Sequence, residues 1–122
     1  MEQLFNQVTE WQSETFPNST ALSKATHLYE EVQELMIDLN ELKRLRQSNL
    51  DFDDNVEDLI QKKETDAQKE LADCFILLFG AANKMGLNFH QVQDAIQNKH
   101  IENLGRKWGK PDANGVVKHV KN

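Results

Sequence analysis

Hydrophobic positions recur at helical spacing along most of this chain. Leu4, Phe5, Val8 and Trp11 share one side of a short helix predicted over residues 3–14. Phe16-Pro17-Asn18-Ser19-Thr20 interrupts it, and Ser19 or Thr20 suits the N-cap of the next helix, where a hydroxyl accepts an otherwise unpaired N–H. Residues 21–46 lack Gly and Pro, and Leu28, Val32, Leu35, Leu39 and Leu42 form a continuous stripe down a second helix. The polar segment 47–54 reads as a loop, with Asp53 or Asp54 as a cap for a helical stretch from about Asn55. The pattern leaves open whether that stretch runs unbroken into the very apolar helix predicted over 66–85. Gly86 is a stop signal, Asn88 a cap for a fourth helix to about Leu104, and Gly105 its end. Gly109, Pro111 and Asn114-Gly115 give residues 106–122 turns, with room for a short strand or hairpin at Val116-Val117. The expected fold is all-α: a four-helix bundle with a non-helical C-terminal tail, its short connections favouring antiparallel neighbours.

Composition narrows the class. A chain of 122 residues fits one domain, and five Gly with two Pro agree with long uninterrupted elements. A net charge of −6 disfavours a partner that is polymeric nucleic acid or an anionic membrane. The single cysteine, Cys74, closes no internal disulfide. No signal-like start is visible, and the longest apolar run, Cys74 to Ala82, is far too short to span a bilayer. A soluble cytoplasmic protein is the expectation.

Candidate chemistry sits on the second and third helices. Glu31 and Glu34 are three residues apart and lie one turn apart on one face, with His27 extending the same stripe. That stripe flanks Leu28, Val32 and Leu35, so the carboxylates border the core. On the third helix Asp73 is the one charged residue from Leu71 to Ala82, and Glu70 lies three residues before it. A helix apolar on nearly all sides is expected to be buried, and a carboxylate inside it requires a cation or hydrogen bonds. One resolution is a buried Lys or Arg partner. The other comes from taking both pairs together: on adjacent antiparallel helices they converge as four oxygen donors, and clustered negative charge calls for a cation. All-oxygen ligation suits Mg²⁺ or Mn²⁺. Zinc fits poorly, for no His/Cys cluster is present, and no His follows a Glu by three as a di-iron bundle would want.

Glu30-Glu31-x-x-Glu34 followed by Glu70-x-x-Asp73 resembles the MazG-like nucleoside triphosphate pyrophosphohydrolases, an all-α superfamily that includes dimeric dUTPases and phosphoribosyl-ATP pyrophosphohydrolases. Lys99-x-x-x-Asn103-x-x-Arg106 looks like the family's basic motif, so the likeness covers a core of roughly residues 20–108. The tail from Arg106 to His119, and the opening Glu10-Trp11, Phe16-Pro17 and His27-Leu28, are similar to short stand-alone members assigned dATP/dGTP-type activity. In one respect the chain departs: 35 residues stand between Glu34 and Glu70, more than is usual, which reads as an insertion at about 47–66.

The resemblance implies a nucleoside triphosphate substrate, with Mg²⁺ held by Glu31, Glu34, Glu70 and Asp73 and water attacking the α-phosphate. It implies that Glu30 orients a ligand or assists proton removal. Lys99, Arg106 and Lys107 would neutralise the phosphates and Asn103 would donate a hydrogen bond, although charge at a helix C-terminus is also favourable by itself. Trp11, Phe16 and His27 are candidates for the base, with core packing a competing role for the two aromatics. A homodimer or homotetramer is implied as well. Two other readings remain: a non-catalytic helical adaptor using the leucine stripe, and a related hydrolase acting on dUTP or phosphoribosyl-ATP. The charge also divides: residues 1–98 carry 18 acids against 8 Lys and Arg, while 99–122 carry 2 against 6. An acidic bundle that needs cations precedes a basic end suited to phosphates.

Overall fold

The computed structural model describes residues 1–48 and 54–121. Four helices account for most of them: α1 (Glu2–Thr15), α2 (Ala21–Ser48), α3 (Asp54–Lys84) and α4 (Phe89–Leu104). The fold is all-α, and no strand occurs among the described residues. None of these helices is long and apolar enough to cross a membrane. The chain divides into two compact units, Met1–Leu87 and Asn88–Asn122.

In the first unit α2 and α3 make the main packing, and α1 lies against α3. Cross-helix pairs fix the direction of α2 and α3. Arg46 bonds Glu64, Lys63 reaches Asp38 at 3.3 Å, and further along Glu31 meets Glu70, so the two run antiparallel. Thr20 is the N-cap of α2: its Oγ1 accepts the Ser23 N–H while the Ser23 hydroxyl accepts the Thr20 N–H. Of the predicted loop 47–54, Gln47 and Ser48 belong to α2 and Asp54 begins α3; the proposed cap Asp53 lies outside the described residues. The stretch from Asn55 does run unbroken into the apolar helix, making α3 a single element of 31 residues. Residues 54–66, expected to lie in an insertion, thus belong to the same helix as Glu70 and Asp73. Gly86, at φ 85°, ends α3 in a Schellman turn in which Leu87 N–H reaches Ala82 O.

The core is small. Phe5, Leu42, Ala67, Cys74 and Leu77 are its buried apolar members, with Phe5 edge-on to Phe79 at 5.2 Å. The leucine stripe is only partly covered: Leu42 is buried, while Val32 and Leu39 are exposed. Leu71, Phe75 and Leu78 are about half exposed as well, which corrects the expectation of a fully buried third helix. Two packed neighbours cover only part of a helix that is apolar nearly all round. The buried face of α1 also differs, with Phe5, Thr9 and Gln12 inside and Leu4 and Trp11 outside. Gly80 explains the polar contact. A Cβ there would lie 2.7 Å from Gln12 Oε1, so its absence admits the amide, whose Nε2 donates to Ile76 O at 3.0 Å. Leu77→Ala is expected to lower the unfolding free energy by about 2–4 kcal/mol in urea titrations, while Leu22→Ala, on an exposed face, should change it by less than about 0.5 kcal/mol.

In the second unit Asn88 and Gln91 form a reciprocal capping box that starts α4. The tail folds back on itself through an isolated antiparallel bridge between Trp108 and His119. Asp112 Oδ1 accepts the N–H groups of Asn114 and Val116, and Gly115 takes φ 78° to complete the turn. Trp108 donates its indole N–H to Asn103 O at 3.0 Å, which ties the tail to the end of α4.

Candidate active site

Helix periodicity and the antiparallel pairing bring three of the predicted carboxylates together. Glu31 and Glu34 on α2 and Glu70 on α3 each place a carboxylate oxygen within 4.8 Å of the others. Glu31 and Glu70 are half-buried and Glu34 is exposed. Glu70 Oε2 is buried without a hydrogen-bond partner. The Glu70 carboxyl is held above its ordinary range, first by a hydrogen bond shared with Glu31, then by burial and by the negative charges of Glu31, Asp73 and Asp38. Such a cluster discharges by holding a proton or by holding a cation. An acceptor oxygen left without a donor, on a carboxylate pressed against two others, fits a hard cation and its oxygen coordination. Cys74, buried beside these acids, has its thiol pushed up by burial and by Glu31, Glu70 and Asp73, which disfavours a thiolate there.

Asp73 lies outside that trio and is exposed, contrary to the burial expected of it. It borders a cleft lined by α1 and α2 in place of packing against them, and no Lys or Arg pairs with it among the described residues. Asp73 and Glu31 share a cleft of about 420 Å³ that also holds Trp11, Phe16, Lys24 and His27. His27 Nε2 lies 3.1 Å from Glu31 Oε1, which orients the carboxylate. Glu30 is exposed and belongs to neither the trio nor the cleft lining. Trp11, predicted as base contact or core, is exposed and packs edge-on to Phe16 at 5.5 Å, forming an aromatic wall of the cleft.

Two side chains here escaped the sequence reading. Gln12 and Lys24 are 3% and 6% exposed. Gln12 keeps Oε1 unpaired. Lys24 lies four residues before Leu28, so a cation at the head of the leucine stripe was the available signal. Gln12 gave none, because a polar residue at a buried helix position is legible only once Gly80 is seen opposite.

The basic residues lie in the second unit. Lys99 bonds Glu102 at 3.2 Å and Arg106 bonds the same carboxylate at 2.6 Å. Lys99 first, then the charges of Arg106 and Lys99, hold Glu102 below its ordinary range. Asn103 Oδ1 is buried without a partner, and the exposed Lys107 uses its carbonyl to accept from Val120 N–H. Lys99, Asn103 and Arg106 are thus gathered at one end of α4, with Glu102 occupying their charge.

Comparison with known proteins adds one finding. A family model described as dATP/dGTP pyrophosphohydrolase matches residues 57–122. No curated protein and no solved structure matches. The matched segment contains Glu70, Asp73 and the basic residues of α4, whereas Glu31 and Glu34 lie outside it and meet Glu70 through the packing of α2 on α3.

Proposed function

Because the chain belongs to the dATP/dGTP pyrophosphohydrolase family, and is thereby a nucleotide pyrophosphohydrolase, we propose that its carboxylate cluster binds Mg²⁺ or Mn²⁺ for attack of water on the α-phosphate of a deoxynucleoside triphosphate. The observation that carries this reading is the convergence of Glu31, Glu34 and Glu70 with Glu70 Oε2 buried and unpaired. Asp73, on the cleft wall beside Glu31, completes the donor set. When bound, the cation neutralises phosphate charge and acidifies water.

The protein's own groups do the rest. His27 holds Glu31 in one orientation. Glu30, adjacent to Glu31 but outside the cleft lining, orients a ligand or assists removal of the water's proton. A new P–O bond forms at the α-phosphorus, its bond to the β-phosphate bridging oxygen breaks, and pyrophosphate departs. Lys99, Arg106 and Lys107 bind the phosphate chain and Asn103 donates through its amide; the first two must release Glu102 to do so. Trp11 and Phe16 face the base. The test is a panel of nucleotides with Mg²⁺, scored for pyrophosphate against orthophosphate. Pyrophosphate with monophosphate supports the reading, and dUTP or phosphoribosyl-ATP as the best substrate would redirect it.

The half-exposed Leu71, Phe75 and Leu78 support assembly as a homodimer or homotetramer, which would cover them. Leu78→Glu is then expected to shift the sedimentation coefficient to that of a monomer. Equal sedimentation of native and variant chains would exclude this face as the interface. A nucleotide substrate and a free thiol suit the cytoplasm.

A further inference from the structure

The cleft that opens at Glu31 and Asp73 continues along α2 to Lys24, which has no part in the chemistry above. Lys24 is 6% exposed as a residue, but its ammonium is not among the buried unpaired atoms, and it makes neither a hydrogen bond nor an ion pair among the described residues. Its contact is the ring of Phe16, with Nζ 4.9 Å from the centroid. Burial first, and then the positive charge of Lys84, pushes the Lys24 ammonium below the ordinary lysine range. A cation held this way destabilises the folded chain, and packing alone would be served better by methionine. With its stem buried and its ammonium among the cleft-lining groups, Lys24 offers N–H donors to an acceptor that enters the cleft.

We infer that Lys24 is a specificity-determining residue for the base, its Nζ donating to the O6 and N7 acceptors of a 6-oxopurine, so that guanine is preferred over adenine. This rests on reading the carboxylates as the triphosphate's cation site. Lys24 precedes Glu31 by seven residues, about 10 Å along the helix axis. That is the span of a nucleoside rather than of a phosphate directly attached to the metal. Trp11 and Phe16 stand at the same end of the cleft, with flat apolar faces suited to a purine. An ammonium carries three donors and no acceptor. Guanine presents two adjacent acceptors on the N7/O6 edge, whereas adenine presents one acceptor beside an amino donor. Facing adenine, an N–H of Lys24 would meet another N–H. The discrimination expected from one such contact is about 10- to 100-fold.

The experiment compares kcat/KM for dGTP, dITP, dATP and 2-aminopurine deoxynucleoside triphosphate in the native chain and in Lys24→Met. In the native chain dGTP and dITP, which share O6 and N7, should exceed the other two by about 10-fold or more. Lys24→Met should abolish that difference by raising KM for the oxopurines, leave dATP near its native value, and unfold at an equal or higher urea concentration. Lys24→Arg should restore part of the preference. Isothermal titration of dGMP and dAMP in EDTA gives a second readout, with dGMP binding tighter to the native chain and equally with dAMP to Lys24→Met. Equal turnover of all four nucleotides by the native chain would overturn the inference. So would a Lys24→Met variant that loses dGTP and dATP alike, which would assign the lysine to phosphate or to folding. If the native chain turns over no nucleotide, the proposed reaction fails, and the dGMP and dAMP titrations judge Lys24 separately. If Lys24→Met does not fold, the analogue series on the native chain decides.

Discussion

Glu70→Gln is expected to lower kcat/KM with Mg²⁺ by at least about 100-fold, since losing even a supporting partner of a metal ligand costs about 10- to 100-fold, while the metal-free protein unfolds at an equal or higher urea concentration. The two effects have one cause. Glu70 faces Glu31 and feels Asp73 and Asp38, so its charge is unfavourable until a cation arrives. The amide removes that repulsion and removes a ligand. Glu34→Gln should behave likewise, with a smaller stability change because Glu34 is exposed. Asp73→Asn distinguishes the roles further. With no basic partner and an exposed side chain, Asp73 should be dispensable for folding and needed for turnover. Activity retained in Glu70→Gln, or a large destabilisation of its metal-free form, would mean that the cluster is structural.

Mg²⁺ should also stabilise the native chain directly. At 100 times its Kd the gain is about 2.7 kcal/mol, read as a rise in Tm that EDTA reverses and that Glu70→Gln lacks. The pH dependence follows from the raised Glu70 carboxyl. A carboxyl with a folded pKa above its unfolded value binds more protons in the folded state. Its contribution is fully present below the ordinary value of 4.5 and is lost as pH rises through the raised folded value. The metal-free chain therefore loses stability across that window, and Mg²⁺, which competes with the proton, should restore it increasingly as pH rises. Thermal melts at several pH values, with Mg²⁺ and with EDTA, check both statements. A Tm rise independent of pH and retained in Glu70→Gln would place the bound cation elsewhere.

Much of this was legible in local sequence. Asn88 and Gly86 announced the α3–α4 turn, because capping and left-handed backbone are decided by a few adjacent residues. The Glu31/Glu34 pair and Glu70 were legible because helix periodicity puts i and i+3 on one face. What failed was burial. Asp73 looked enclosed because Leu71, Phe75 and Leu78 surround it in sequence, but apolar composition does not supply a neighbour to pack against. The junction at Asn55 was undecided for a similar reason, since a polar helical stretch has no apolar stripe to mark its continuity with the next. Gln12 and Lys24 required tertiary information: the first depends on Gly80 across the α1–α3 contact, the second on Phe16 folding over α2.

The central claim is that water, activated at the Glu31–Glu34–Glu70 cluster, attacks the α-phosphorus. Hydrolysis of dGTP with Mg²⁺ in ¹⁸O-labelled water, followed by mass analysis of both products, tests it most directly. The label is predicted in dGMP, with pyrophosphate unlabelled and Glu70→Gln inactive. Label in pyrophosphate, or release of orthophosphate in its place, would contradict it.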